Sequence, residues 1–300
     1  MTLHLMYRPS SWREVLGNRD SVDYLRSAVE NPDRPHSYIF SGPSGCGKTT
    51  LARILSRELG CMSSDFVEVD SADYRGIDTI RDIRSQMMMA PMYGPCRVWL
   101  MDECHKLTSD AQSALLKALE DTPPHVYFLL ATTDPQKLLP TIRNRCQSIS
   151  VAPLDDDEMM RLLARVHKRT TSESINKGAA DDIITASEGC PRQALQILEK
   201  YIANPSAPIE TLTSDSKEII DLCRALIKKQ KWNSVKKLLS ELKGTDPEKI
   251  RWAVMGYASA VLMKTEDAQA LVLLDVFREP FYNSGWNGVV WACAVCVQEE

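Results

Sequence analysis

The sequence predicts an α/β protein: a parallel sheet covered by helices on both faces, then a region made of helices alone. Three observations predict it. Short apolar runs alternate with helically spaced segments through the first half of the chain, the pattern of strands buried on both sides. The first of these runs, Tyr38-Ile39-Phe40, leads into Gly42-Pro43-Ser44-Gly45-Cys46-Gly47-Lys48-Thr49, a full match to the phosphate-binding pattern G-x-x-x-x-G-K-[ST]. From Pro153 onward the strand-like runs stop and helical spacing is all that remains.

The glycine-rich stretch carries the chemistry. Its glycines let backbone N–H groups turn inward around an oligophosphate, and the helix that follows, with Leu51, Ile54, Leu55 and Leu59 on one face, points its positive dipole end at the same place. Lys48 is expected to reach the β and γ phosphates and Thr49 to hold Mg²⁺. ATP with Mg²⁺ is therefore the expected ligand.

The remaining elements build outward from that loop. Ahead of it, Tyr7-Arg8-Pro9 opens an extended segment that stops at Gly17, and Asn18 or Asp20 can cap a helix with Val22, Leu25, Ala28 and Val29 on its inner face. After it, Phe66-Val67-Glu68-Val69 reads as a second strand and Ile77 to Met89 as a helix. Arg97 to Met101 is an apolar strand ending in Asp102-Glu103. A carboxylate at that position can hold the Mg²⁺ water shell (Asp102), and its neighbour can orient or deprotonate an attacking water (Glu103). Ser109 to Glu120 reads as a serine-capped helix stopped by Pro123-Pro124. Val126 to Ala131 is another apolar strand with Thr132-Thr133-Asp134 at its tip, and Gln147 to Val151 is the last strand.

Three domains are expected: 1–152 for the nucleotide, 153–205 as a small helical lid, and 206–300 as a helical module, with Asn204 to Pro208 as linker. Asp155-Asp156-Asp157-Glu158 suits a helix first turn, where carboxylates oppose the dipole. In the last module apolar residues recur at 219, 222, 223, 226 and 227, at 235, 238, 239 and 242, and at 250, 254, 257, 258 and 261, all amphipathic helix spacings. Nothing there suggests chemistry, so packing and assembly are the expected role.

Bulk properties set the setting. The chain has 300 residues, 44% of them hydrophobic, enough for packed cores. No apolar run approaches the roughly 20 residues that cross a bilayer, so a soluble, cytoplasmic protein without membrane partners is expected. Nine cysteines spread along the chain suit reduced, buried thiols. Cys293 and Cys296 fall in an apolar helical run and read as core. A net charge of −4 gives no global pull on nucleic acid, so any DNA contact must come from a local stripe.

On these residues the chain resembles the AAA+ ATPase subunits of DNA polymerase sliding-clamp loaders. The bacterial gamma/tau type is nearest, with replication factor C and phage large-loader subunits next. The likeness is dense from Tyr7 to about Leu198. It rests on Tyr7-Arg8-Pro9 with Val15-Leu16-Gly17, His36 to Gly42, Arg75-Gly76-Ile77-Asp78, Leu115 to Glu120 and Leu129 to Leu138. The resemblance implies an AAA+ sheet domain, a helical lid and an oligomerising collar. It implies that Thr50, Tyr7, Arg8, Pro9, Val15 and Leu16 join the phosphate loop in holding ATP. It makes Thr133 the sensor 1 residue, Arg192 in Gly189-Cys190-Pro191-Arg192 sensor 2, and Arg145 an arginine finger acting on a neighbour's nucleotide. It places Arg75 and Arg81 on primer-template DNA phosphates, where solvated helix charges are the other reading. Met88 and Met92 stand where the family contacts the sliding clamp; the cluster Met87 to Tyr93 also suits a core.

Two departures stand out. Gamma/tau subunits insert a cysteine-rich zinc module after the first helix, whereas here Cys61-Met62-Ser63-Ser64 runs almost directly into the second strand, so no zinc is expected. Asn144 stands where the family has serine. The implied function is a motor that opens a clamp and places it on DNA, with companion loader subunits. A branch-migration AAA+ motor and a non-hydrolysing scaffold subunit are the alternatives; His105, after Asp102-Glu103-Cys104, reads as structural.

Overall fold

The computed structural model describes residues 2–205, 217–265, 267–281 and 284–297. It divides into two compact units, Met1–Ala203 and Asn204–Glu300. Of the expected linker, residues 206–208 lie outside the described residues.

The first unit is built on five parallel strands: β1 (Ser37–Ser41), β2 (Phe66–Asp70), β3 (Arg97–Asp102), β4 (Val126–Thr132) and β5 (Gln147–Ser150), in the order β2-β3-β4-β1-β5. Alternation along each strand splits its side chains between two cores. Tyr38, Phe40, Val98, Leu100, Tyr127 and Leu129 face one side, where they meet α2 (Arg19–Glu30) and α3 (Lys48–Glu58). Ile39, Trp99, Met101, Phe128 and Leu130 face the other, against α4 (Ile77–Gln86), α5 (Ser109–Glu120) and α6 (Pro140–Arg145). Every residue of the central strand β4 is buried, which is why it reads as an unbroken apolar run. A short helix, α1 (Leu3–Met6), precedes this array.

Several boundaries differ from the sequence reading. The helix expected to reach Met89 ends at Gln86, because Met87 turns into the core while Met88 and Met89 point to solvent. The cap of α5 is Thr108, whose hydroxyl accepts the Ala111 N–H at 3.2 Å; Ser109 is already helical. Asn18 precedes α2 without capping it. Its amide instead exchanges two hydrogen bonds with Ala152, at 3.1 and 2.7 Å, tying the N-terminal segment to the end of the sheet.

Three helices complete the unit: α7 (Asp156–Thr171), α8 (Lys177–Ser187) and α9 (Pro191–Ala203). Asp155 and Glu158 form a reciprocal capping box at the start of α7, the role expected of that acid run. Asn176 caps α8, accepting N–H bonds from Gly178 and Ala179.

The second unit is helical: α10 (Lys217–Ile227), α11 (Trp232–Glu241), α12 (Pro247–Thr265), α13 (Ala268–Val276) and α14 (Gly285–Val297). The expected apolar positions form its core, joined by Phe277, Phe281, Cys293 and Cys296. Buried Arg251 is satisfied by Glu248 at 2.9 Å and by the carbonyls of Phe277 and Arg278. Trp252, Met263, Leu271 and Trp291 nevertheless remain on the surface of this unit, 55–88% exposed.

Candidate nucleotide site

Strand β1 ends where its backbone must pass against β5. A Cβ at Gly42 would lie 2.0 Å from the Val151 carbonyl oxygen, so only glycine lets the chain leave the sheet here. The loop then closes on α3 through Gly47, whose φ of +108° is strained for any side chain. Beside it opens a cavity of about 560 Å³, lined by Ser44 to Leu51, by the N-terminal segment, by Asp102 and Glu103, and by α7 and α9.

The structure brings most of the expected nucleotide residues to this cavity. Tyr7, Arg8, Pro9, Val15, Leu16, Ser44, Gly45, Cys46, Gly47, Lys48, Thr49 and Thr50 line it, as do Asp102, Glu103 and Arg192. Gly42 and Pro43 lie just behind, and their carbonyls accept the Lys48 Nζ–H groups at 2.9 Å each. Burial lowers the Lys48 pKa, with Glu103 and Asp102 opposing that shift.

At the tips of β3 and β4 the acids are held in place. The Thr49 hydroxyl donates to Asp102 Oδ2 at 2.8 Å, so two hard oxygen donors already meet at the start of α3. Glu103 adopts φ +49°, a left-handed conformation that costs a non-glycine residue energy and turns its carboxylate into the cavity. Thr133 Oγ1 donates to Glu103 Oε2 at 3.2 Å. Thr133 thus reaches the site through Glu103 rather than by lining the cavity.

His105, expected to be structural, stands beside Glu103. Its Nδ1 lies 3.3 Å from Glu103 Oε2 and 3.1 Å from Thr132 Oγ1. Burial lowers its pKa despite the Glu103 charge, which favours the neutral ring. The sequence reading also missed the α7 contribution. Leu162, Arg165, Val166 and Arg169 line the cavity from one helical face, a spacing of three, four and seven that could have signalled it. The same helix grips the N-terminal segment: Tyr7 meets Thr170 at 3.1 Å, and Arg165 donates to the Glu14 carbonyl at 3.2 Å.

The cavity is electropositive. Arg8, Lys48, Arg165, Arg169 and Arg192 line it against Glu14, Asp102 and Glu103. The Arg8 pKa is lowered by burial and by the like charges of Arg53 and Arg192, a repulsion that a polyanion relieves.

Other expected site residues stand elsewhere. Arg145, at the end of α6, is outside the cavity and pairs with Glu120 at 2.5 Å, both side chains 41% exposed. Arg75, two residues before α4, and Arg81, within it, are exposed, and Arg81 meets Asp78 at 3.0 Å. Met88 and Met92 are 59% and 67% exposed; buried Met87 alone answers the core reading of the cluster. Fully buried Asp65 fixes this loop by accepting the Met92 and Tyr93 N–H groups and Arg97 at 2.8–3.2 Å.

A parallel sheet in this strand order, with the phosphate loop leaving β1 and an acid pair at the end of β3, is the arrangement of an AAA+ ATPase. Solved structures share the fold. A Thermotoga maritima RuvB variant superposes with a TM-score of 0.57 at 21% identity, covering 74% of this chain and 78% of that one. A gamma subunit-related protein of DNA polymerase III from the same organism gives 0.53 at 17%, covering 91% and 98%.

Sequence relatives narrow this to the gamma/tau subunits of DNA polymerase III, with which the chain is homologous. The gamma/tau subunit of Mycobacterium tuberculosis is 35% identical over 236 residues, 71% of this chain and 41% of the relative. The tau subunit of Bacillus subtilis is 32% identical over 224 residues, 67% and 39%. The chain thus spans about two fifths of the length of these relatives. A family model described as DNA polymerase III, delta subunit, matches residues 64–155, and one described as Zeta toxin matches residues 21–91, which contain the phosphate loop. No helix among the described residues is long and apolar enough to cross a membrane.

Proposed function

We propose that this chain is an ATP-hydrolysing motor subunit of a sliding-clamp loader. One observation supports it above the rest: an electropositive cavity gathers the phosphate loop, Lys48, Asp102, Glu103 and Arg192, while Arg145 lies outside it, paired with Glu120. In this reading Lys48 exchanges the Gly42 and Pro43 carbonyls for phosphate oxygens, and the Arg8 and Arg192 cluster completes the polyanion site. Thr49 and Asp102 form a hard-oxygen pair suited to Mg²⁺, which when bound neutralises charge on the triphosphate. Glu103, oriented by Thr133 with His105 beside it, takes the proton of the attacking water.

Arg145 then serves the site of the next subunit. Its guanidinium is exposed and weakly held, free to leave Glu120 for a neighbour's γ-phosphate. Residues 1–152 act as the motor domain, 153–205 as a lid carrying Arg192, and 206–300 as a collar. The exposed Trp252, Met263, Leu271 and Trp291 are apolar surface suited to joining subunits, copies of this chain and companion loader proteins alike. Met88 and Met92 offer flexible thioethers to a sliding clamp, and Arg75 and Arg81 contact primer-template phosphates without reading sequence. ATP binding favours the assembly that opens the clamp and accepts DNA; hydrolysis releases both.

The test is ATP turnover with clamp and primed DNA present. Glu103→Gln is expected to bind ATP and lose turnover, and Lys48→Ala to lose both. Normal turnover in Glu103→Gln overturns the assignment.

A further inference from the structure

The phosphate loop and the segment that introduces α9 bring two thiols to one carbonyl. Cys46 Sγ and Cys190 Sγ lie 3.7 and 3.5 Å from the same acceptor, the Ser44 carbonyl oxygen. Packing between the two segments is close. A Cβ at Gly45 would fall 2.5 Å from Cys190 Sγ and 3.1 Å from Arg192 Cβ. Cys46 is buried and lines the cavity, while Cys190 is partly exposed.

The thiols are chemically unequal. The neighbouring Cys190 thiol and burial together push the Cys46 thiol up. Cys190 is lowered, first by the neighbouring Cys46 thiol and then by the Gln193 and Arg192 N–H groups at the start of α9 and the Arg192 charge. A thiol at a helix N-terminus beside a guanidinium is the kind that reacts as thiolate.

We propose that Cys46 and Cys190 are a reactive dithiol site whose co-substrate is a low-molecular-weight disulfide, and that their oxidation ties the phosphate loop to the Arg192 segment. This rests on the nucleotide reading of the cavity. The Cys190 thiolate attacks one sulfur of the small disulfide and releases one small thiolate. Cys46 then gives up its proton to that thiolate and attacks the Cys190 sulfur, expelling the second small thiolate. Two protein thiols become one disulfide, and the small disulfide is reduced to two thiols. The bond fixes the lid to the loop it must move against during turnover, so hydrolysis stops until a reductant reopens it.

The full chain is treated with oxidised glutathione, and the same sample is divided for peptide mapping and for ATP turnover before and after dithiothreitol. Expected are a Cys46–Cys190 cross-linked peptide, loss of turnover and its recovery on reduction. Cys46→Ser traps glutathione on Cys190, and Cys190→Ser forms no link. Overturning results are both thiols unmodified, a stable glutathione adduct on Cys190 of the unsubstituted chain, or a Cys46–Cys190 link with turnover unchanged. If the reduced protein binds no ATP, the nucleotide reading falls instead, and mapping still decides whether the thiols join.

Discussion

Arg145 offers the most discriminating prediction. Its partner in its own chain is Glu120, and both side chains are 41% exposed, so the pair contributes at most about 1 kcal/mol to stability. Arg145→Ala therefore leaves the fold and its melting temperature essentially unchanged. In the proposed assembly the same substitution would remove a guanidinium from a neighbour's transition state, an expected loss of about 10³-fold or more in turnover, or roughly 4 kcal/mol. The two magnitudes separate a surface ion pair from a residue acting across an interface. Mixing decides it: Arg145→Ala subunits keep an intact phosphate loop, and Lys48→Ala subunits keep an intact arginine. Neither alone turns over ATP. Assembled together at equal amounts, about one interface in four pairs an intact loop with an intact arginine, and turnover returns there. Full activity of Arg145→Ala assemblies, or no recovery on mixing, refutes the reasoning.

Other perturbations test the remaining surfaces and the packing beneath them. Met88→Ser with Met92→Ser weakens clamp binding in a pull-down or by interferometry while unfolding free energy moves by no more than about 0.5 kcal/mol, because both side chains are already in solvent. Arg75→Ala and Arg81→Ala weaken DNA binding alike on all sequences, and each lowers the slope of log affinity against log salt by about 1. Asp65→Asn costs about 3 kcal/mol in denaturant unfolding, since it breaks a buried pair with Arg97. Asp65 also gives a pH signature. Burial pushes its carboxyl upward, but the Met92 and Tyr93 amides and Arg97 outweigh that and leave it below its ordinary value. Its contribution is complete above the unfolded carboxylate pKa of about 3.9 and disappears as pH falls through the folded value, a loss that Asp65→Asn abolishes in acid titrations of stability.

Much of this was legible in the chain because it depends on local patterns. Strands β1, β3 and β4 appear as apolar runs since their residues are buried on both faces, and the phosphate loop is legible because its glycines answer to backbone geometry. Phe66 to Asp70 was harder: β2 is an edge strand with half of its side chains in solvent, so its hydrophobic signal is short. Helix ends were the weak points. Asn18 looked like a cap, yet its amide is taken by Ala152, a residue 134 positions away.

The site divides the same way. Sequence alone determined the motif residues, the acids at the end of β3 and the alternation that builds a parallel sheet, because each is written in spacing along one segment. Only the tertiary structure decided that His105 lies beside Glu103, that one face of α7 joins Arg8 and Arg192 around the cavity, that Arg145 lies outside it and that Cys46 and Cys190 share the Ser44 carbonyl. Those contacts join residues on separate elements, and their distances follow from how helices pack on the sheet, which no local pattern encodes.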